Sequence, residues 1–278
     1  MRLSDWRRAS KLPAHETDMI IERVCGMNRM RVFLDARNYE LSINEHVLLN
    51  DMYSRRLNTF EPLQYIIGYA YFMGYKFNVT PDVLIPRPDT EILVSSAVSH
   101  VISNNKDEWN ILDLCTGSGC VGISISKELE SVNNVYVTAS DISKDALKIA
   151  SANGRNLKAD NIEFVQSDLF NKFDGRKFDI IVSNPPYIPE GNLVELHDEV
   201  RLYEPFIALC GGDCGYEFYY KINDSVRDYL NKDGHLFVEV GYDQSQYVSH
   251  IFSEFFDTEI IKDLNGYGRV VHMFNMRN

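Results

Sequence analysis

The sequence predicts an α/β fold, in which a Rossmann-like parallel sheet with a C-terminal antiparallel hairpin follows a small N-terminal helical domain. Three observations predict it: helical apolar spacing before residue 70, alternating strand and helix patterns after residue 90, and a glycine-rich loop after the first strand of that series. The 278 residues are enough for two domains. We expect a helical domain at 1–69, a β-hairpin linker at 70–84 and a catalytic domain at 85–278.

The first elements change from helical to strand patterning. From residue 17 to about 67, apolar residues recur at helical spacing, as in Ile20 and Val24, which predicts several helices. Between residues 69 and 84, aromatic residues alternate with other residues around Gly74. This alternation predicts a β-hairpin between the two domains.

Strand-then-helix units follow a predicted helix over residues 91–101. Their alternation predicts a parallel sheet with right-handed crossovers. The last two strands differ, because residues 265–268 read Asn-Gly-Tyr-Gly, a sequence typical of tight antiparallel turns. The predicted strands are residues 111–114, 135–139, 162–165, 178–182, 235–240, 258–264 and 269–274.

Composition limits the classes of partner. The net charge of −12 disfavours a large surface that neutralises phosphates, so we expect no direct nucleic-acid partner. The five scattered cysteines lack the paired spacing of a zinc site, so we expect reduced thiols and no metal. No apolar stretch approaches the ~20 residues that span a bilayer. We therefore expect a cytoplasmic protein with no membrane partner, and nothing in the sequence demands more than a monomer.

A glycine-rich segment at residues 113–119 lies at the carboxyl end of the predicted strand 111–114. This is the sheet edge where open α/β folds bind ligands. Its glycines permit positive φ, and the helix that follows offers free amides. Asp141 ends the next strand, where a carboxylate can accept both ribose hydroxyls, while Asp168 can accept from an adenine amino group and Leu169 can cover the ring. The predicted cofactor-binding residues are Asp113, Cys115, Thr116, Gly117, Ser118, Gly119, Asp141, Asp168, Leu169 and Asn184.

This loop leaves two cofactors open. Residues 117–122 also satisfy the G-x-G-x-x-G pattern of dinucleotide folds. Asp113 would repel a pyrophosphate but suits the cationic methionine portion of S-adenosyl-L-methionine, which favours the methyl donor. In a purely structural interpretation, the glycines form a turn, Asp141 caps the next helix and Asp168 is a solvated carboxylate.

The segment Asn184-Pro185-Pro186-Tyr187 directly follows a predicted buried strand. Proline fixes φ and lacks an N–H, so the carbonyls of Asn184 and Pro185 are left without local partners. The Asn184 side-chain oxygen and the Pro185 carbonyl can accept both hydrogens of a planar NH2 group and orient its lone pair toward a methyl donor. Tyr187 can stack over that group. We predict methyl transfer to nitrogen, with Asn184, Pro185 and Tyr187 catalytic and all four residues binding substrate. The motif alone leaves glutamine, adenine and cytosine open.

Several segments together resemble the release factor glutamine methyltransferases over nearly the whole chain. They are Leu-Ile-Pro-Arg-Pro-Asp-Thr-Glu at 84–91, the motif at 184–187, and the stretch from Glu204-Pro205 to Gly211-Gly212. The resemblance implies methylation of the glutamine in the Gly-Gly-Gln motif of peptide chain release factors, which supports translation termination. It also implies that the N-terminal helices dock the factor and that residues 84–91 help close the pocket for S-adenosyl-L-methionine. Cys115, where glycine is common, and Cys214, where an Asp-Gly pair is common, depart from the family pattern.

Other functions explain the sequence less well. A DNA or RNA exocyclic-amine methyltransferase shares the motif at 184–187, but the acidic charge disfavours it. An NAD-dependent oxidoreductase would leave that motif unexplained. A non-catalytic factor-binding module is disfavoured because every expected site residue is present.

Overall fold

The computed structural model describes residues 1–104 and 106–277, which form two compact units. The first unit comprises Met1–Tyr69 and His197–Tyr203, and the second comprises Ala70–Leu196 and Glu204–Asn278. The sequence prediction assigned residues 197–203 to the catalytic domain. In the structure this short segment makes its main contacts with the helical unit. Those contacts join residues far apart in sequence, which a local sequence pattern does not reveal.

Helices build the first unit: α1 (Leu3–Ala9), α2 (Ala14–Cys25), α3 (Arg29–Asp35), α4 (Ile43–Thr59), α5 (Leu63–Ile67) and, from the later segment, α9 (Asp198–Arg201). Helix α4 begins with a capping box, in which Ser42 Oγ accepts from the Glu45 N–H and the Glu45 carboxylate accepts from the Ser42 N–H. Helix α9 is held by Arg56, whose guanidinium contacts Glu16 and Glu199, each at 2.8 Å. The apolar faces enclose a core that includes Leu3, Ile20, Ile21 and Leu49.

The second unit begins with a hairpin and contains a larger sheet. Strands β1 (Tyr69–Phe72) and β2 (Tyr75–Asn78) form the predicted hairpin. Among the described residues, seven strands form the larger sheet in the order β5-β4-β3-β6-β7-β9-β8. They are β3 (Trp109–Leu114), β4 (Val135–Asp141), β5 (Ile162–Gln166), β6 (Phe178–Ser183), β7 (Leu230–Glu239), β8 (Asp257–Lys262) and β9 (Gly268–Phe274). Strands β3 to β7 run parallel, and β9 pairs antiparallel with both β7 and β8, so the predicted fold class is confirmed.

Both faces of this sheet are buried. In the central strands, Ile111 and Ile180 point to one apolar cluster, and Leu112 and Ile181 point to the other. This alternation is the two-residue period of a strand with helices on both sides. No helix in the described parts of the chain is long and apolar enough to cross a membrane. The remaining helices are α6 (Glu91–Ser103), α7 (Cys120–Glu128), α8 (Lys144–Leu157), α10 (Phe206–Leu209), α11 (Glu217–Ser225) and α12 (Ser245–Phe252).

The strand order creates a crevice at the carboxyl edge of the sheet. Strand β3 pairs with β4 on one side and with β6 on the other, so the chain leaves β3 and β6 in opposite directions. At such a switch point the loops after the strands separate, and the opening between them is the usual ligand site of an open α/β sheet. The glycine-rich loop and the segment after β6 are therefore neighbours across the crevice.

Candidate active site

A cavity of about 240 Å³ occupies this crevice. Most of the residues predicted from sequence line it: Cys115, Thr116, Gly117, Ser118, Asp141, Asp168, Leu169, Asn184 and Pro186. Asp113, Gly119, Pro185 and Tyr187 are not among the lining residues. The fold thus brings together residues from four different strand ends, those of β3, β4, β5 and β6, while four predicted residues do not line the cavity.

The glycine-rich loop has the backbone shape that its sequence predicts. Gly117 and Gly119 have φ of 55° and 81°, which side chains with a Cβ rarely adopt. A Cβ on Gly119 would also lie 2.7 Å from Ile123 Cδ1, so the loop packs directly on helix α7. Ser118 Oγ is buried and has no hydrogen-bond partner within residues 1–104 and 106–277. The loop therefore offers an unused polar atom to a ligand.

Asp113 lies beneath this loop, with 1% of its surface exposed. Its Oδ2 accepts hydrogen bonds from Thr116 Oγ1 at 2.5 Å and from the Gly122 N–H at 2.9 Å, a free amide in the first turn of α7. Burial raises the pKa of Asp113 to about 7, although both hydrogen bonds lower it. We expected this carboxylate to face a cationic ligand. The structure instead turns it toward helix α7, where it braces the loop.

Asp141 ends strand β4 at the cavity wall. Its Oδ2 accepts from the Gly117 N–H at 2.9 Å, and its Oδ1 accepts from the Ser143 N–H at 2.8 Å. Each carboxylate oxygen keeps a second lone pair, which can accept from a ribose hydroxyl. The N-cap of helix α8 is Ser143, whose Oγ accepts from the Ala146 N–H. Asp141 is therefore not the N-cap, as the purely structural interpretation would require.

The loop after β5 carries the two residues predicted to contact an adenine. Asp168 is exposed and Leu169 half-buried, and both line the cavity. Leu169 has a φ of 43°, and Ser167 Oγ donates to its carbonyl at 2.7 Å. Cys115, on the opposite loop, also has a positive φ, of 59°. This left-handed backbone explains why glycine is favoured at position 115.

The segment after β6 presents Asn184 to the cavity. Asn184 Nδ2 donates to Thr90 Oγ1 at 3.2 Å, and Thr90 also lines the cavity. Pro185 is buried, and its carbonyl has no hydrogen-bond partner in the described part of the chain. Tyr187 is half-buried against the core cluster around Leu236, and burial raises the pKa of its hydroxyl. Its ring lies outside the cavity wall, so its stacking on a substrate stays a prediction.

Backbone hydrogen bonds fix this segment in place. The Ile188 N–H donates to the Leu209 carbonyl at 3.0 Å, and the Gly211 N–H donates back to Ile188 at 2.9 Å. Gln244 Nε2 donates to the Tyr187 carbonyl at 3.0 Å. Gly211-Gly212 is a family feature in the sequence, whereas Gln244 is not among the residues predicted from it. The one local sequence signal for Gln244 is its place in Gly-Tyr-Asp-Gln at residues 241–244, directly after a predicted buried strand.

The segment Leu84–Glu91 borders the cavity from the other side. Leu84, Pro86 and Arg87 line it. The backbone of this segment is tied by Glu204, whose side chain is 1% exposed. Glu204 accepts from the Ile85 N–H at 3.1 Å and pairs with the Arg87 guanidinium. A buried carboxylate satisfied by two donors fixes the loop position, so residues 84–91 are placed to close one side of the pocket.

Within residues 1–104 and 106–277, no three His, Cys, Asp or Glu side chains are arranged to hold a metal ion. The polar wall of the cavity includes carboxylates, hydroxyls, the Asn184 amide and the cationic side chains of Arg87 and Lys221. Such groups suit an organic ligand with hydroxyl and amino groups.

Comparison with known proteins gives matches along the chain. Residues 7–68 match the PrmC N-terminal domain, and residues 90–200 match the methyltransferase small domain. The release factor glutamine methyltransferase of Lactococcus lactis is 39% identical, with 92% of each chain covered. That of Clostridium acetobutylicum is 40% identical, with 88% of this chain and 86% of the relative covered. A T. thermophilus 16S rRNA methyltransferase solved with AdoMet and guanosine has a TM-score of 0.53 at 15% identity, over 74% of this chain and 49% of that one, which supports the fold alone.

Proposed function

Because this chain belongs to the release factor glutamine methyltransferase family, we propose that it methylates the glutamine in the Gly-Gly-Gln motif of peptide chain release factors. The methyl donor is S-adenosyl-L-methionine. The observation that carries the proposal is the position of Asn184 and Pro185. Asn184 lines the cavity, and the carbonyl of the adjoining Pro185 has no hydrogen-bond partner among the residues that the structure describes.

The cavity wall fits the donor. Asp141 would hold the ribose hydroxyls, and Asp168 and Leu169 would hold the adenine, since their acceptor and apolar groups face the cavity. Ser118 Oγ is buried and has no hydrogen-bond partner in the described part of the chain, so it gives the loop a further polar group for the ligand. When bound, S-adenosyl-L-methionine supplies an electrophilic methyl group on a sulfonium.

The protein's part in the reaction is positional and electrostatic. An amide nitrogen is a poor nucleophile because its lone pair is delocalised into the carbonyl. Asn184 Oδ1 and the Pro185 carbonyl would accept the two amide hydrogens, which orients the nitrogen and favours its tetrahedral form. Neither acceptor is a strong base, so the nitrogen loses its proton only as its bond to carbon forms, and the proton passes to water. The rigid prolines hold both acceptors without conformational freedom to lose.

Docking of the release factor is supported by the surface of the helical unit. Helices α3 and α4 expose large apolar side chains that a monomeric surface rarely collects. Two of these side chains, Phe33 and Ile43, are 79% and 84% exposed. The others are Met30, Leu34, Val47 and Leu48. We propose that the factor covers them, and that the protein is a cytoplasmic monomer which contacts neither nucleic acid nor membrane directly.

The alternative acceptor, an exocyclic amine of DNA or RNA, has weaker support. It would use the same two acceptors at Asn184 and Pro185, but binding would require many phosphate contacts. The net charge of −12 opposes such contacts. Methylation of a protein glutamine needs no phosphate binding and agrees with the Lactococcus lactis relative, which matches 92% of this chain.

The decisive experiment uses labelled methyl donor with a purified release factor and with a variant factor whose loop glutamine is alanine. We expect label only on the unaltered factor. Label on the alanine variant would show that another residue accepts the methyl group and would refute the proposal. A nucleic-acid substrate that is labelled in preference to the factor would favour the alternative.

Asn184→Ala tests the role of the amide. We expect kcat to fall about 100- to 1,000-fold, as when one aimed oxyanion donor is lost, with donor affinity within about threefold of wild type. Asn156→Ala, an exposed asparagine on α8, is the control. Calorimetry showing lost donor affinity in Asn184→Ala would instead assign Asn184 to the cofactor.

A further inference from the structure

Glu239 is a buried carboxyl beside the proposed site that the mechanism above leaves unused. It is the last residue of β7 and is 3% exposed. Ser183 pairs with Val238 across β6 and β7, so Asn184 and Glu239 are neighbours at the carboxyl edge of the sheet. The Oε2 atom of Glu239 is buried and has no hydrogen-bond partner among the described residues. A buried acceptor of this kind is costly and calls for a structural reason.

Arg269 lowers the pKa of Glu239 by its charge but forms no ion pair with it. The Arg269 guanidinium is within 2.9 Å of Asp89 and 3.0 Å of Asp263, and it forms its ion pairs with those two carboxylates. The titratable and charged groups that face Glu239 come from several elements: Asp89 before α6, Arg269 on β9, Tyr187 after β6, Tyr219 on α11 and Cys120 on α7.

Two uncharged donors face the carboxyl instead. Hydrogen bonding from Thr90 and from Asn184 lowers the pKa of Glu239, against a larger rise caused by burial that brings it to about 7. Asn184 Nδ2 also donates to Thr90 Oγ1 at 3.2 Å. Because that oxygen accepts from Asn184, the Thr90 hydroxyl hydrogen is available to Glu239. Thr90 and Asn184 are therefore hydrogen-bonded to each other, and both adjoin the Glu239 carboxyl.

The chemistry of the Glu239 carboxylate determines which end of the Asn184 amide faces it. An ionised carboxylate only accepts, so the groups that face it must present hydrogens. An asparagine amide has a donor end and an acceptor end that are almost the same size and can exchange by rotation about χ2. If Asn184 rotated, its oxygen would face the carboxylate and its NH2 would face the substrate. That orientation would repel both the carboxylate and the NH2 of a substrate amide.

We propose that Glu239 is a positioning residue that holds the NH2 end of Asn184, directly and through Thr90, so that Asn184 Oδ1 faces the methyl-accepting nitrogen. This inference rests on the proposed function of Asn184 as an acceptor. Glu239 contacts neither the substrate nor the donor in this role. It converts a side chain with two equivalent orientations into one with a single orientation.

Glu239→Gln tests the inference, since glutamine has the same shape but can present its own NH2 to Asn184. We expect kcat to fall about 10- to 100-fold, while donor affinity by calorimetry and KM for the release factor stay within about twofold. Glu254→Gln, at an exposed position, is the matched control and should keep wild-type kcat. An unchanged kcat in Glu239→Gln would overturn the inference.

Two further readouts separate positioning from general support of the fold. In an Asn184→Ala background, Glu239→Gln should have no further effect on residual turnover, because its target is gone. An equal loss in both backgrounds would overturn the inference. In wild type, kcat should rise as pH passes about 7 and Glu239 ionises, and this rise should be absent in Glu239→Gln. A rise that persists in Glu239→Gln would overturn the inference.

Thr90→Val decides the matter if Glu239→Gln does not fold, because it removes the relay hydroxyl and leaves the carboxyl in place. We expect a lower kcat with unchanged donor affinity, and a wild-type kcat would overturn the inference. Wild-type enzyme assayed in parallel on the release factor and its glutamine-to-alanine variant separates the two hypotheses. Label that does not depend on the glutamine refutes the proposed function, whereas glutamine-dependent label with unimpaired variants refutes only the role of Glu239.

Discussion

Gly211 lies against the backbone of the segment that carries Asn184. A Cβ added at this position would lie 2.7 Å from Tyr187 Cα and 2.8 Å from the Pro186 carbonyl oxygen. Both neighbours are backbone atoms, so no flexible side chain can move aside. Gly211 itself does not have a positive φ, which means that Gly211→Ala tests close approach alone.

The size of the effect follows from the geometry. Ordinary contact begins at 3.4 Å, so the added methyl group requires a shift of roughly 0.7 Å between two hydrogen-bonded segments. Such overpacking typically costs about 1–3 kcal/mol of stability. A displacement near 1 Å of groups that position a substrate lowers turnover roughly 100-fold. We therefore expect Gly211→Ala to fold, to bind the methyl donor nearly normally, and to lose about 10- to 100-fold in kcat.

The assay compares Gly211→Ala with Gly191→Ala. Gly191 is exposed near the same segment, and a Cβ there would meet nothing within 4 Å. Urea denaturation gives the free energy of unfolding, calorimetry gives donor affinity, and labelled methyl transfer gives kcat. Equal kcat values for the two variants, at equal stability, would refute the view that Gly211 sets the position of the segment after β6.

Two further predictions concern the loop after β3. Cys115→Gly should be more stable than Cys115→Ala by about 1 kcal/mol, because only glycine adopts the φ of 59° without strain; equal urea midpoints and slopes for the two variants would contradict this. Burial raises the pKa of Asp113 from 3.8 to about 7 in the folded protein. The stability that its protonated form contributes is therefore complete below the pKa of the unfolded state and is lost as pH rises through about 7. Asp113→Asn should therefore gain stability relative to wild type between about pH 5 and about pH 8. A constant difference in the free energy of unfolding over that range would show that Asp113 does not titrate there.

Much of the architecture was predictable because it depends on local patterns. Alternating apolar runs located each strand of the large sheet within a few residues, apart from the earlier start of β7 at Leu230. After Leu230, residues Asn231 to Asp233 of β7 are polar and carry no apolar signal. The family was also predictable, since the motifs at 84–91 and 184–187 are specific and contiguous. Nine of the thirteen predicted site residues line the cavity, because loops after parallel strands converge at one edge.

By itself, the sequence determined the elements, their order, the ligand edge of the sheet and the chemistry offered there. The tertiary structure alone decided where the side chains at that edge point. Asp113 braces the loop because strand alternation turns it under α7, and Tyr187 packs outside the cavity wall. Glu239 and Thr90 meet Asn184 from distant segments. Such groupings depend on packing between remote parts of the chain, which a pattern along one segment does not encode.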